Sequence, residues 1–591
     1  MTSDLIDLSG RITMNKRYIH LVINALLGGL LIAVAWSPAM AQVQQRFGVH
    51  TPLRDGIELV SDLWLPETPG RYPTVLVRTP YLKAKERWVN LGHTFAQEGY
   101  VFMVQDVRGR GDSEGEFDFF FADGEDGFDT IEWIGEQSWS NGQVGMMGGS
   151  YRATVQWLAA RERPTPLVCL FPQAAAGRYF DELPYMGGAF LMEWALDWMN
   201  GTAGRIGQGA NAGRTDWDKV YAHRPLITMD SVMGRAIPLY RDALTHSTAD
   251  EYWERILFSS SDFAEMDIPA LTVTGWFDVD QPGAVHYWEG MRAYSPARDQ
   301  QYFLSGPWNH GETRTGGSPT IGQLERTSRS MVDIDALALS WFNHCLKQEP
   351  QTFDFPRARV FLTGTNEWRD LADYPPPSME QRRLYLHSSG HANTLYGDGT
   401  LTWNEPADEP SDGYLYNPRY PVPSGPAQVG EDQRVVQRRD DVLVYTTEVL
   451  EAPLSMLGRV WVVIHASTDA RDTDFVAKLT DVYPDGRALL LGTWPAGVIR
   501  ARYREGRDRE VLVTPGEVEE YRIELFDMGH TFLPGHRVRI EITSSAHPFI
   551  NPNQNTGNPV ATDVEWRDAQ QIIFHDQERP SYVLLPVVPE G

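Results

Sequence analysis

Residues 144–153 read Val-Gly-Met-Met-Gly-Gly-Ser-Tyr-Arg-Ala, and this stretch decides the fold class. The apolar run predicts a short buried strand, and the residues after the serine predict a helix. Ser150 therefore lies on a tight turn from strand to helix, where Gly148 and Gly149 are the small neighbours that a projecting nucleophile requires. The alternative is a plain Gly-Gly-Ser turn, because Arg152 stands where the usual Gly-x-Ser-x-Gly pattern has its second glycine.

Strand and helix patterns alternate on both sides of this turn. Such alternation predicts a parallel sheet with helical crossovers. The predicted strands are 56–65, 72–80, 100–106, 144–148, 269–275 and 301–305, and the predicted helices are 89–98, 123–135, 151–162 and 334–347. We therefore expect an α/β core.

Two further regions have a different composition. Residues 166–264 are rich in Gly, Met, Trp and Tyr with weak strand signals, which indicates a mostly helical insertion. Residues 348–591 contain many short β-type runs without helices, which is typical of a β-sandwich or jelly roll. The predicted organisation is a core in two parts, 42–165 and 265–347, an inserted cap at 166–264 and a C-terminal β-domain at 348–591.

The N-terminus has the pattern of a secretory signal peptide. Lys16 and Arg17 precede an apolar run at 21–35, and Ala39 and Ala41 form an A-x-A cleavage site. We expect residues 1–41 to be removed after Ala41, leaving a periplasmic or secreted protein. A membrane anchor is the alternative, but the run is short for a helix that must span about 20 residues.

Composition excludes several classes of partner. The 591 residues are 42% hydrophobic and 22% charged, with a formal net charge of −27, so we expect a globular protein that binds neither nucleic acid nor, after signal cleavage, a membrane. The only two cysteines, Cys169 and Cys345, show neither a disulfide framework nor a metal motif, and we expect buried thiols. No metal or other cofactor is expected, and a homo-oligomer is compatible with the sequence.

A nucleophilic serine needs a histidine base and an acid to orient it, which in this fold class follow in the order Ser, Asp, His. Asp278 follows the strand that ends at Gly275, and His310 follows the next predicted strand. Side chains at the carboxyl ends of parallel strands line one crevice, so these two are the candidates. His286 ranks below His310 because it falls in a predicted helix only eight residues after Asp278.

Several motifs together resemble one family. The sequence is similar to the cocaine-esterase and Xaa-Pro dipeptidyl-peptidase family of α/β-hydrolases, which includes the α-amino-acid ester hydrolases. The stretches that carry the resemblance are Val77-Arg-Thr-Pro-Tyr81, Gln105-Asp-Val-Arg-Gly-Arg-Gly-Asp-Ser-Glu-Gly115, Gly148-Gly-Ser-Tyr151, Gly275-Trp-Phe-Asp278, Gly306-Pro-Trp-Asn-His310, Asp472-Thr-Asp-Phe475 and Gly497-Val-Ile-Arg-Ala-Arg-Tyr-Arg504. They extend through nearly all of the chain after residue 41.

The resemblance implies a helical cap, a C-terminal jelly roll and a role for each matching residue. Ser150 would be the nucleophile, His310 the general base and Asp278 its orienting acid. The Tyr81 hydroxyl and the Tyr151 backbone N–H would form the oxyanion hole. Ala153 departs from the family, which usually has glycine there.

The substrate is less constrained. In the α-amino-acid ester hydrolases a cluster of three carboxylates binds the substrate ammonium, and the resemblance places Asp280 in the first position but Gln281 in the second. Asp181 and Glu182, at the start of the cap, are candidates for the third. The alternatives are that Asp280 caps the following helix and that the cap acids form a solvated loop.

Three functions therefore remain open. The first is an exported serine hydrolase that cleaves small esters or amides through an acyl-enzyme, with α-amino acid esters as one substrate class. The second is an exopeptidase of the Xaa-Pro dipeptidyl-peptidase type. The third, from another class, is an inactive hydrolase core that serves as a carbohydrate- or surface-binding protein.

Overall fold

The computed structural model of the protein describes residues 43–206, 215–349, 353–425, 429–492 and 497–589. The signal peptide predicted for residues 1–41 lies outside these ranges. No helix within them is both long and apolar enough to cross a lipid bilayer.

The first half of the chain is organised around a ten-stranded sheet. Its strand order is β1-β2-β4-β3-β5-β6-β9-β10-β13-β14, and every pair from β4 to β13 is parallel. The central strands are buried on both faces, as expected for a sheet covered by helices. The bounds are β1 (Gln44–Pro52), β2 (Glu58–Leu65), β3 (Tyr72–Thr79), β4 (Val101–Asp106), β5 (Ser140–Gly149), β6 (Leu167–Gln173), β9 (Ala270–Phe277), β10 (Gln301–Asn309), β13 (Ala358–Leu362) and β14 (Glu367–Leu371).

Helices cover the sheet and form the cap. The crossover helices begin and end close to their predicted positions, because apolar residues recur at helical spacing and pack on the sheet. In chain order the helices are α1 (Glu86–Gln97), α2 (Asp123–Glu136), α3 (Tyr151–Arg161), α4 (Met192–Trp194), a π-helical segment (Ala195–Met199), α5 (Asn200–Thr202), α6 (Trp217–Ala222), α7 (Met229–Val232), α8 (Pro238–Thr245), α9 (Glu251–Glu254), α10 (Ser260–Glu265), α11 (Gln281–Tyr294) and α12 (Ile334–Cys345). Short 3₁₀ segments are Leu226–Thr228, Arg298–Gln300, Glu312–Arg314, Ser328–Ser330, Gln433–Val435 and Ala501–Tyr503.

The inserted region is helical, as predicted, but its start differs from the expected residue 166. Strand β6 lies between β5 and β9 in the central sheet, so the insertion begins after it. Pro166 precedes β6 and Pro172 lies within it. Because proline weakens a strand pattern, the sequence did not distinguish β6 from the insertion. The cap also contains a small hairpin of β7 (Tyr185–Met186) and β8 (Ala189–Phe190), and a two-stranded ribbon of β11 (Thr320–Ile321) and β12 (Leu324–Glu325) follows β10.

The expected boundary between residues 347 and 348 also differs from the structure. Strand β13 lies within the region predicted as the β-domain, but it pairs in parallel with β10 of the first sheet through Phe303 and Ala358. A single strand pattern does not specify its partner, so sequence alone could not assign this strand to the first sheet.

The C-terminal region is all β, as the jelly-roll prediction requires. Twelve strands form one hydrogen-bonded sheet that folds around a separate hydrophobic core. They are β15 (Glu380–His387), β16 (Thr400–Thr402), β17 (Asp412–Tyr416), β18 (Leu443–Thr447), β19 (Leu454–Thr468), β20 (Asp474–Val482), β21 (Ala488–Leu491), β22 (Gly497–Arg500), β23 (Glu519–Phe532), β24 (Arg537–Thr543), β25 (Ala569–Phe574) and β26 (Tyr582–Val587).

Polar contacts fasten the cap to the β-domain. Arg178 forms a bidentate salt bridge with Glu524, with both N–O distances at 2.8 Å. The Phe190 N–H donates to Asn551 Oδ1 at 3.2 Å, and the Asn551 N–H donates back to the Phe190 carbonyl at 3.0 Å. Bidentate guanidinium–carboxylate pairs fix orientation as well as distance, so the cap is held against the second domain.

The two cysteines form a disulfide, which corrects the expectation of two buried thiols. Cys169 lies in β6 and Cys345 is the last residue of α12, with a Cα–Cα distance of 6.4 Å. They are 176 residues apart in sequence, so no local spacing pattern indicates the pairing. The bond links the sheet to the helix that closes the first domain.

Removing this bond should lower stability because it closes a long loop in the unfolded chain. Chain-entropy arguments give up to about 5 kcal/mol for a loop of this size. We expect the Cys169→Ser/Cys345→Ser variant to melt well below the wild type, and reductant to lower the melting temperature of the wild type alone. Two titratable thiols in unreduced, denatured wild-type protein would contradict the pairing.

Candidate active site

The turn at Ser150 has an unusual backbone conformation. One residue connects β5 to α3, with φ of 65° and ψ of −133°, a region that side-chain-bearing residues rarely occupy. The Ser150 N–H donates to the carbonyls of Gln173 and Ala174 at 2.9 and 3.1 Å. These bonds to the end of β6 hold the turn, and the serine side chain lines a large cavity at the carboxyl edge of the sheet.

The two glycines before Ser150 lie where there is no room for a side chain. A Cβ at Gly148 would lie 2.7 Å from Arg152 Cβ, and Gly148 has a φ of 137° that favours glycine. A Cβ at Gly149 would lie 2.6 Å from Arg314 Cδ. The strand-to-helix turn predicted from the sequence is therefore present and tightly packed.

Asp278 and His310 come together from neighbouring parallel strands. Asp278 follows the end of β9 and His310 follows the end of β10, where Phe277 and Asn309 are paired in register. His310 Nδ1 lies 2.7 Å from Asp278 Oδ1. Because Asp278 is fully buried and engages Nδ1, Nε2 is the ring nitrogen left to act as a base in the cavity that His310 lines.

Asp280 lines the same cavity and lies beside this pair. Its Oδ2 is 3.7 Å from His310 Nδ1, and its N–H donates to Asp278 Oδ1 at 3.0 Å. Burial, with the adjacent Asp278 and then Glu182, raises the pKa of Asp280 well above the ordinary carboxyl value. Burial and the neighbouring carboxyls therefore favour the protonated form of Asp280 more than in a solvated aspartate.

Asp278, Asp280 and His310 also have the donor types of a metal site. One ligand atom from each lies within 4.8 Å of the others. However, a cation there would have to replace the hydrogen bond between His310 Nδ1 and Asp278 Oδ1. The hydrogen-bonded arrangement fits an oriented base better than a metal ligand set.

The two tyrosines predicted for the oxyanion hole both line the cavity with Ser150. The Trp198 Nε1–H donates to Tyr81 Oη at 2.9 Å, so the phenol oxygen accepts one bond and keeps its own proton to donate. Tyr151 is the first residue of α3, where a helix leaves its backbone N–H groups without an intrahelical acceptor. Two donors are thus available next to Ser150.

Asp181 and Glu182 do not line the cavity. Asp181 pairs with Arg507 at 2.7 Å. The fully buried Glu182 accepts backbone N–H bonds from Gly177, Arg178 and Gly283 at 2.8, 2.9 and 3.0 Å, and burial raises its pKa to about 7. Its carboxylate ties the start of the cap to α11 instead of facing a substrate.

His286 is also outside the cavity. It lies in α11, as predicted, and its ring packs against Phe263 and Tyr287. Burial lowers its pKa to about 4, so it is an uncharged side chain of the helix interface.

The cavity has a volume of about 810 Å³ and includes residues that sequence reasoning did not identify. Trp194 and Trp198 stack with centroids 5.3 Å apart, and burial raises the pKa values of the neighbouring Glu193 and Asp197. Glu193 and Asp197 are four residues apart in an apolar segment of the cap, and this spacing is the sequence signal that could have identified them. Other walls come from Lys85, Arg152, Arg314 and, in the β-domain, Val429.

Comparison with known proteins places this geometry in context. Residues 55–312 match the profile described as X-Pro dipeptidyl-peptidase (S15 family). Residues 352–584 match the profile of the X-Pro dipeptidyl-peptidase C-terminal non-catalytic domain. The two matches follow one another along the chain and cover both the central sheet and the β-domain.

Full-length similarity extends to a named esterase and to two solved structures. Cocaine esterase of Rhodococcus sp. (strain MB1 Bresler) is 34% identical over 585 residues, covering 91% of this chain and 98% of that protein. An aminopeptidase from a marine sediment archaeon, Thaumarchaeota archaeon, and an α-amino acid ester hydrolase each superpose with a TM-score of 0.81 at 26% identity, covering 93% of this chain and 97% of theirs.

The similarity to cocaine esterase and both family profiles runs through the two domains that build the cavity. It supports a serine hydrolase of the esterase type with small-molecule substrates. The chain therefore belongs to the cocaine esterase and X-Pro dipeptidyl-peptidase (S15) family of α/β-hydrolases.

Proposed function

We propose that the protein is an exported hydrolase that cleaves small ester or amide bonds through an acyl-enzyme formed on Ser150. The observation that carries the proposal is that His310, hydrogen-bonded to the buried Asp278, lines the same cavity as Ser150 and the two tyrosines. Ser150 was a candidate because of its turn, Asp278 and His310 because of their order along the chain, and the tyrosines because of the family resemblance.

The first chemical step is acylation. His310 Nε2 takes the proton of Ser150 as Oγ attacks the carbonyl carbon, and Asp278 stabilises the imidazolium that forms. The Tyr81 hydroxyl and the Tyr151 N–H donate to the developing oxyanion. His310 then gives its proton to the leaving alcohol or amine.

Deacylation repeats these roles with water. His310 activates a water molecule, which attacks the acyl carbon and releases the acid, and the proton returns to Ser150. No step requires a group that the chain lacks.

Export is supported by two separate observations. The first is the signal-peptide pattern of residues 1–41. The second is the Cys169–Cys345 disulfide, since such bonds persist mainly in oxidising compartments. The periplasm and the cell exterior both fit.

The geometry favours a general ester hydrolase over an enzyme that selects an α-ammonium. Asp280 lines the cavity, but burial and neighbouring carboxyls raise its pKa and disfavour its charged form, and Glu182 and Asp181 are engaged elsewhere. An exopeptidase of the Xaa-Pro type would also need a site for the free N-terminus of its substrate. The family match nevertheless keeps Xaa-Pro amides as the second substrate class to assay.

We expect Ser150→Ala to lower kcat/KM for a simple ester such as 4-nitrophenyl acetate by at least about 10⁴-fold, because it removes the nucleophile. Tyr81→Phe removes one oxyanion donor and should lower kcat by about 10²–10³-fold. Tyr294→Phe, at an exposed tyrosine, is the matched control. Unchanged kcat in Tyr81→Phe would exclude its hydroxyl from the oxyanion hole, and an active Ser150→Ala would reject the mechanism.

Substitutions at Asp278 and at Asp280 should have very different effects on kcat. Asp278→Asn breaks the orientation of His310 and should lower kcat by about 10³–10⁴-fold. Asp280→Asn leaves the hydrogen bond between Asp278 and His310 in place and should change kcat on a neutral ester by less than about tenfold. Equal losses in both variants would mean that Asp280 acts as an anion.

The same Asp280→Asn variant should alter the pH dependence of stability. A raised pKa means that the folded state binds more protons than the unfolded state above the ordinary carboxyl pKa, so the wild type loses stability as pH rises through this window. We expect the melting temperature of Asp280→Asn, relative to wild type, to increase from pH 4 to pH 8. A constant difference over that range would contradict the raised pKa.

A matched substrate pair tests ammonium recognition. Breaking a desolvated ion pair changes binding by about 2–5 kcal/mol, or roughly 30-fold and upward. Because burial disfavours the charged form of the acids that line the cavity, and the two acids at the start of the cap are engaged elsewhere, we expect phenylglycine methyl ester and phenylacetic acid methyl ester to differ by less than about tenfold in kcat/KM at pH 7. A preference of 30-fold or more for the amino ester would instead place an ammonium site in the cavity.

A further inference from the structure

Three cationic side chains lie in the wall of the active-site cavity. Lys85 comes from the segment between β3 and α1, Arg152 from the first turn of α3, and Arg314 from the 3₁₀ segment that follows His310. All three line the cavity that contains Ser150.

These cations have no acidic partner within the described part of the chain. Among the residues that the structure describes, Lys85, Arg152 and Arg314 form no salt bridge. The nearby Arg87 differs, because it pairs with Asp335 at 2.8 Å. In a chain with a formal charge of −27, three unpaired cations in one cavity wall are an uncommon arrangement.

Arg152 is held in place without being neutralised. Its Nε–H donates to the Gly149 carbonyl at 3.0 Å, and its guanidinium lies 5.4 Å from the ring centroid of Tyr81 and 5.1 Å from that of Trp88. Burial, together with Arg314 and Arg87, lowers its pKa to about 10. The guanidinium therefore stays charged at neutral pH, and a bound anion would offset the free-energy cost of its burial.

Asp280 does not supply that anion. The positive charge of Arg314 lowers the pKa of Asp280. Burial and the neighbouring acids raise that pKa by more. Glu193 and Asp197 belong to the cap, and burial raises their pKa values as well. Among the described residues, therefore, no carboxylate forms a salt bridge with the three cations of this wall.

We propose that Lys85, Arg152 and Arg314 form a subsite for a carboxylate group carried by the substrate. This inference rests on the proposed hydrolase function and narrows its substrate class to esters or amides with an anionic acyl or leaving group. A planar guanidinium binds a carboxylate through two parallel hydrogen bonds, which suits Arg152 and Arg314. The strongly negative net charge of the protein disfavours more highly charged anions such as phosphate esters.

Two isosteric substrate pairs test the subsite and locate the carboxylate. Monomethyl glutarate against methyl glutaramate places the charge in the acyl group, and 4-acetoxybenzoate against 4-acetoxybenzamide places it in the leaving group. We expect kcat/KM to favour the anionic member of at least one pair by about tenfold or more, and the preference to fall with added salt.

Variants of this wall should change that ratio. Arg152→Gln should bring the anionic-to-neutral ratio close to one, and Arg152→Lys should restore part of it. Lys85→Gln, at an exposed position, should lower the ratio without a risk to folding. Arg46→Gln, on the exposed edge strand β1, removes the same charge elsewhere and should leave the ratio unchanged.

A binding measurement separates this inference from the hydrolase mechanism. In the Ser150→Ala protein we expect 4-hydroxybenzoate or glutarate to bind at least about tenfold tighter than the matching amide by calorimetry, and Arg152→Gln to abolish the difference. Such binding without ester turnover by the wild type would support the subsite and reject the proposed function. Serine-dependent turnover with no anionic preference in either pair, and no Arg152-dependent binding, would overturn the subsite, as would a preference for the neutral esters.

Discussion

The backbone of Ser150 is the constraint on which the rest of the site depends. Its positive φ is tolerated because two carbonyls at the end of β6 accept its N–H and because Gly148 and Gly149 leave room for Arg152 and Arg314. The same turn starts α3, so one local distortion positions the serine, a helix N-terminus and the first cation of the cavity wall. The order β5-β6-β9-β10 then brings the aspartate and histidine loops to the same edge.

Most of the fold could be predicted because its signals are local. Buried strands and amphipathic helices have characteristic periods, and the elbow at Ser150 joins one of each. The start of the cap and the start of the β-domain were both predicted too early. Strands β6 and β13 belong to the first sheet because they pair with strands that are distant in sequence. The Cys169–Cys345 bond was missed for the same reason, because it joins residues 176 apart.

The sequence predicted which residues form the site, but it did not predict how burial and pairing change their charge. Order along the chain identified Ser150, Asp278 and His310, since strand ends converge in a parallel sheet. Sequence could not show that the pKa of Asp280 is raised or that Glu182 accepts hydrogen bonds from three backbone N–H groups, because both depend on how the folded chain buries these side chains. Arg152 was visible only as a departure from a glycine pattern, and its lack of an acidic partner is a property of the folded molecule.

The fastening of the cap to the β-domain has a consequence for how ligands reach Ser150. A cap joined to the core at its ends and clamped from outside through Arg178–Glu524 and Phe190–Asn551 cannot swing as a hinged lid without breaking buried polar contacts. Opening the cap as a rigid unit therefore carries the free-energy cost of these contacts. An enzyme whose cap stays clamped in this way turns over without the slow gating step that a hinged lid imposes.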